Sequence, residues 1–263
     1  MDKAYGDHVT VSVEGHVAVV TLNRPPHNFV SVEFMRSLAD AMQAADRDAS
    51  ARAILLHAEG KSFSAGADFG SREPATTGAT TETPGASALY EQAVRLYTVE
   101  TPIVAAVQGP AIGAGLGLAL VADFRVASPA ARFAANFVKL GFHPGFGITH
   151  ALPRLIGEQK AALMMLTGRR IKGEEAMAWG LVDELAADAD LLAAAKRLAD
   201  EIAENAPLAV RATRATLRAA LAAEILRASD GENVQQMRLA TTEDFREGVR
   251  AVGERRPGNF VGR

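Results

Sequence analysis

The chain predicts an α/β core that gives way to a helical C-terminal third, and three observations predict it. Short apolar runs closed by glycine, "ARAILLHAEG" and "TPIVAAVQG", alternate with amphipathic segments over the first two thirds. From Gly157 onward nearly every segment has helical spacing. The 263 residues, 48% of them hydrophobic, suffice for one large domain or for a core with a smaller appendage.

The elements follow in order. "HVTVSVEG" and "HVAVVTLNRP" read as a hairpin, with period-2 alternation, a turn at Glu14-Gly15 and a stop at Pro25-Pro26. "SVEFMRSLADAMQAADRD" puts Val32, Met35, Leu38, Ala39 and Met42 on one helical face, and "ARAILLHAEG" reads as a buried parallel strand. "KSFSAGADFG" leads into "SREPATTGATTETPGAS", a Thr-, Ala-, Gly- and Pro-rich insertion near 71–88 with no periodicity. "ALYEQAVRLYTVE" is helical, "TPIVAAVQG" is a second buried strand, and "GAGLGLALVAD" opens the next helix. "FRVAS" and "ARFAA" are short strands, and the rest is helix. The expected division is a core over 1–200 and a C-terminal helical oligomerisation region over 201–263. Ala-rich helices with one apolar face bury that face against a partner, here another subunit.

A net charge of −3 gives no electrostatic case for nucleic acid or a membrane surface. Without cysteine there is neither disulfide nor thiol chemistry, and no run approaches 18 uninterrupted apolar residues. A cytoplasmic protein without a membrane span is the expectation.

"QGPAIGAGLGLAL", residues 108–120, places glycines at 113, 115 and 117 where a strand runs into a helix. A dinucleotide fingerprint would need glycine where Leu118 stands, and no acidic residue follows about 20 positions on. Bare residues can simply let a helix approach a strand closely. They can also let a substrate carbonyl reach the unpaired N–H groups of a helix N-terminus, a place for a developing oxyanion. "SAGAD", residues 64–68, follows its own buried strand and is equally bare, so a second donor is available.

With these blocks the chain resembles the crotonase, or enoyl-CoA hydratase/isomerase, superfamily. The resemblance rests on "LNRP", "KSFSAGAD", "TPIVAAVQGPAIGAGLGLALVADFRVAS", "LGFHPGFG", "LTGRRIKGEEAMAWGLVDE" and "TTEDFREGVRAVGERRPGNF", and covers nearly the whole chain. It implies a ββα spiral with a C-terminal trimerisation region, hence a homotrimer or a dimer of trimers. It also implies an acyl-CoA thioester substrate, with coenzyme A as part of that substrate and no permanently bound cofactor or metal. The thioester oxygen would lie between the backbone N–H groups of Ala67 and Ala114. Adenine and pantetheine would run along Arg24 and the backbone of Ser64, Ala65 and Gly66. Arg255 is the basic tail residue that such proteins direct to a CoA phosphate.

Hydratases of the superfamily use two glutamates for acid–base work, and by the resemblance those positions hold Gly117 and Phe137. Gly113, Gly117 and Phe137 are therefore expected on the substrate side, without a carboxylate. The nucleophilic aspartate of the dehalogenase branch would fall on Gly145. His143, in "GFHPG", is the candidate acid–base group, with backbone hydrogen bonding beside Pro144 as the alternative. His150 reads as structural. Asp68 stands on the substrate side but has the position of a turn cap. Glu73 and Glu82 in the insertion are candidate carboxylates, and Tyr90 or Tyr97 could line the acyl pocket. The expected function is an acyl-CoA-transforming enzyme that is not a standard two-glutamate hydratase; the alternative is a non-catalytic acyl-CoA binding protein.

Overall fold

The computed structural model describes residues 3–67 and 88–263; Asp68, Glu73, Glu82 and nearly all of the insertion lie outside the described residues. The expected α/β class holds. A seven-stranded sheet is built from β1 (Lys3–Tyr5), β2 (Val9–Glu14), β3 (Val17–Leu22), β4 (Ala53–Ala58), β5 (Ile103–Val107), β7 (Phe124–Ala127) and β10 (Glu184–Leu185), adjacent in that order. β6 (Pro110–Ile112), β8 (Arg132–Ala134) and β9 (Ile171–Lys172) form a smaller sheet. The first three strands pair antiparallel and the hairpin closes with Glu14 opposite Val17. From β3 onward the large sheet is parallel.

Burial on both faces explains why the central strands read as unbroken apolar runs. Ala18, Val20, Leu22, Ile54, Leu56, Ile103, Ala105 and Val107 point into the main core. That core is closed by Phe34, Met35, Leu38 and Met42 of α1 (Val32–Arg47) and by Leu89, Ala93 and Leu96 of α2 (Ala88–Tyr97). The alternate residues Val17, Val19, Ala53, Leu55, Val104, Ala106 and Val126 form a second layer. Against it lie Leu191, Ala194, Ala195, Ala199 and Ala203 of α7 (Leu191–Ala203), whose alanine stripe permits close approach.

α3 (Ala114–Val121) is buried at every position and runs from β6 into the main core. After β8 comes a short 3₁₀ turn, Asn136–Leu140, followed by α4 (Ile148–Ile156), α5 (Glu158–Thr167) and α6 (Gly173–Trp179). α8 (Pro207–Leu217), α9 (Leu221–Leu239) and α10 (Glu243–Gly253) complete the helical third. Two of these helices reach the region where α3 begins. α9 packs on α2 and α4, and α10 packs on the 3₁₀ turn so closely that a carbon added at Gly248 would lie 2.3 Å from the backbone of Leu140. Among the described residues no helix is long and apolar enough to cross a membrane.

Candidate active site

The two bare turns are one structure. Ser64 N–H donates to the carbonyl of Pro110 (3.1 Å), and Ile112 N–H donates to the carbonyl of Ser64 (3.0 Å). Ser64 and Ala111 form a parallel bridge between the turns, and Val30, from the segment before α1, forms another with Ala67. The first turn is held from below by Asn28, whose Nδ2 donates to the carbonyls of Glu59 (2.7 Å) and Ser62 (2.8 Å). Ser64 Oγ donates to Asn28 O (2.7 Å).

This proximity is why side chains are missing there. A carbon added at Gly115 would stand 2.1 Å from the carbonyl of Ser64, and one at Gly66 would stand 2.6 Å from Ile112 O and 3.5 Å from Ala114 N. Gly66 and Gly113 also have φ of +85° and +57°, a region closed to most L residues. The first intrahelical bond of α3 runs from Gly117 N–H to Gly113 O (3.1 Å), and Gly113 brings no side chain to cap the end. The N–H of Ala114 therefore opens the helix at its positive dipole end, next to the turn that carries Ala67.

Ala67 and Ala114 both line a cavity of about 360 Å³, together with Ala65, Gly66 and Gly113. Its walls are apolar: Phe29, Leu89, Ile112, Phe137, Leu140 and Phe142, closed by Val249, Val252 and Gly253 of α10. Among the described lining residues none is charged, and the polar side chains are those of Tyr90 and Asn136. Tyr90 Oη donates to Gln236 Oε1 (2.7 Å), and Gln236 Nε2 donates to the carbonyl of His143 (2.8 Å). Burial pushes the phenol well above its ordinary range, with the Gln236 bond acting against that shift. Gly145 is bare for the same contact, since a carbon there would fall 1.9 Å from Tyr90 Oη.

The other expected residues take distinct places. Arg24 is not among the lining residues; its guanidinium donates to the carbonyl of Phe29 (2.8 Å), a residue that is. Phe137 is on the wall, in the 3₁₀ turn where a regular helix start was expected. Gly117 is not on the wall, because Phe146 covers it: a carbon added at Gly117 would lie 2.6 Å from two ring atoms and 2.8 Å from Cβ. His143 is half-buried and lies behind the cavity, with Nδ1 2.8 Å from the carbonyl of Pro144. Arg255 is exposed and stands two residues beyond Gly253; its neighbour Arg256 is committed to Glu247 and Glu254. Tyr97 is buried away from the cavity, its ring beneath Arg218.

Sequence reasoning missed a carboxylate behind the site. Glu232 accepts from Gly147 N–H (2.7 Å), Thr149 N–H (2.9 Å) and Thr149 Oγ1 (2.6 Å), fastening the start of α4 to α9. Burial pushes it above the usual carboxylate range, while those three donors pull it back. It sits one turn from Gln236, so one face of α9 holds the loop carrying His143, Gly145 and Phe146. The signal available in the sequence was a polar stripe, Ser229, Glu232, Asn233 and Gln236, at helical spacing.

Known proteins resemble the chain over nearly its whole length. The enoyl-CoA hydratase/isomerase family profile matches residues 12–263. A Thermus thermophilus protein named as a candidate enoyl-CoA hydratase is 40% identical over 256 residues, covering 95% of this chain and 100% of the relative. The (E)-benzylidenesuccinyl-CoA hydratase of Thauera aromatica is 37% identical over 261 residues, covering 97% and 99%. A crystal structure of an enoyl-CoA hydratase/isomerase from Pseudoalteromonas atlantica matches with a TM-score of 0.86 at 32% identity, over 97% of this chain and 100% of that one.

Proposed function

The chain belongs to the enoyl-CoA hydratase/isomerase family, the crotonase superfamily, and on that premise we propose that it holds an acyl-CoA thioester oxygen on the N–H groups of Ala67 and Ala114. The observation that carries this reading is the hydrogen-bonded fusion of the two turns at one apolar cavity. Backbone donors fixed before the reaction stabilise charge as it develops on the oxygen, and each such donor is worth about 10²- to 10³-fold in rate. The intermediate is an enolate or a tetrahedral oxyanion. CoA enters past Arg24 and the backbone of Ser64, Ala65 and Gly66, with Arg255 at the exposed end of the helix that closes the cavity.

The reaction is not ordinary two-glutamate hydration. One of the glutamate positions is Gly117, covered by Phe146, and the other is Phe137, which adds an aromatic wall. Incubation with crotonyl-CoA, followed by loss of the enoyl absorbance, tests this. Without positioned acid–base groups the rate falls about 10²- to 10⁴-fold below that of a two-glutamate hydratase. Turnover at the ordinary hydratase rate overturns the reading.

The uncharged described lining favours a second reading, an acyl-CoA binding protein that does no chemistry. Thioester binding in calorimetry with no product from a panel of acyl-CoAs selects it. Loss of activity in His143→Ala would instead assign acid–base duty to that residue. The exposed Leu208 and Leu217 on α8 support association with further copies, as a homotrimer or a dimer of trimers, and light scattering measures which.

A further inference from the structure

Among the described residues the cavity wall has two polar side chains, and one of them is already spent within the protein. The carbonyl of His143 can only accept, so it fixes which end of the Gln236 amide faces it and leaves Oε1 toward Tyr90. The phenol proton is thereby committed to Gln236. Asn136 is different: among the described residues its carboxamide makes no hydrogen bond.

Asn136 also has no evident structural duty. It opens the 3₁₀ turn but does not cap it, because the capping position is Ala135 and no side chain bonds there. It is half-buried, beside the donor turn: a carbon built on Gly113 would lie 3.6 Å from Asn136 Oδ1 and 3.7 Å from the Phe137 ring. An uncommitted amide on an otherwise apolar wall loses water when a ligand fills the cavity. A plain alkyl group leaves it unpaired, which is costly, whereas a ligand with its own polar group restores the lost bond.

We propose that Asn136 is a specificity-determining residue that hydrogen-bonds a keto, hydroxyl or amide function near the thioester and so selects such acyl groups over plain alkyl ones. This rests on the acyl-CoA reading above. The test measures affinities of butyryl-CoA, acetoacetyl-CoA and 3-hydroxybutyryl-CoA for the whole protein by calorimetry. The wild type binds the two oxygenated thioesters about tenfold more tightly than butyryl-CoA, the size of one good buried hydrogen bond. Asn136→Leu, and Asn136→Ala as a variant too small to strain the turn, abolish that preference, because the oxygenated thioesters lose their bond and butyryl-CoA no longer strands an amide. Equal affinities in the wild type, or a preference that survives in both variants, overturns the proposal while the acyl-CoA reading stands. No binding of any thioester, butyryl-CoA included, overturns the acyl-CoA reading and this proposal with it.

Discussion

Replacing Gly117 with alanine puts a methyl 2.6 Å from two ring carbons of Phe146 and 2.8 Å from its Cβ. Phe146 has no room to yield, being fully buried with φ of +68°. Overpacking of this kind costs about 1–3 kcal/mol. Exchanging glycine for alanine inside a helix returns about 1 kcal/mol. The net is a loss of up to about 2 kcal/mol. In a Phe146→Gly background all three clashing atoms are gone, and the same substitution then stabilises by about 1 kcal/mol. Phe146→Gly itself loses about 3–5 kcal/mol of buried ring and regains about 1–2 from relief of its left-handed backbone. The double-mutant cycle therefore has a coupling of about 1–3 kcal/mol. Urea unfolding followed by circular dichroism measures it. If Gly117→Ala stabilises equally in both backgrounds, Phe146 is not what keeps this position bare.

Ala114→Pro removes one N–H at the first helical position, where proline is tolerated. The account predicts a folded protein whose activity on its own substrate falls about 10²- to 10³-fold, read from kcat/KM and far-ultraviolet circular dichroism together. A second prediction concerns acid. The Arg256 guanidinium, joined by the N–H of Asn259, holds Glu247 at about 2, below its ordinary 4.5. Because the folded value is the lower one, this clamp of the C-terminal segment is complete above about pH 4.5 and is lost as pH falls toward 2. Glu247→Gln removes that pH dependence, and hydrogen exchange at residues 256–262 measures the difference.

The strands were legible because burial on one face or two leaves a direct pattern, alternation in β2 and unbroken apolar runs in β4 and β5. The bare turns were legible as well, since two backbones cannot approach so closely through side chains. What local pattern could not give was the tertiary cause of particular residues. Gly117 reads as a missing glutamate, yet its immediate physical reason is the ring of Phe146, remote in sequence. Asn136 passed unremarked because nothing in "RFAANF" says that its amide is left unbonded. His143 drew attention as a titratable loop residue, while its ring turns to Pro144 and only its carbonyl joins the network behind the cavity. Glu232 was hidden by the composition of its helix.

The claim on which the rest depends is that two backbone donors grip one thioester oxygen. Infrared difference spectroscopy of a carbonyl-labelled acyl-CoA reads that contact directly, since stronger hydrogen bonding lowers the C=O stretching frequency. The stretch of the bound thioester falls below its value in water, and Ala114→Pro reverses part of the shift. A bound thioester whose carbonyl frequency stays at the aqueous value contradicts the account.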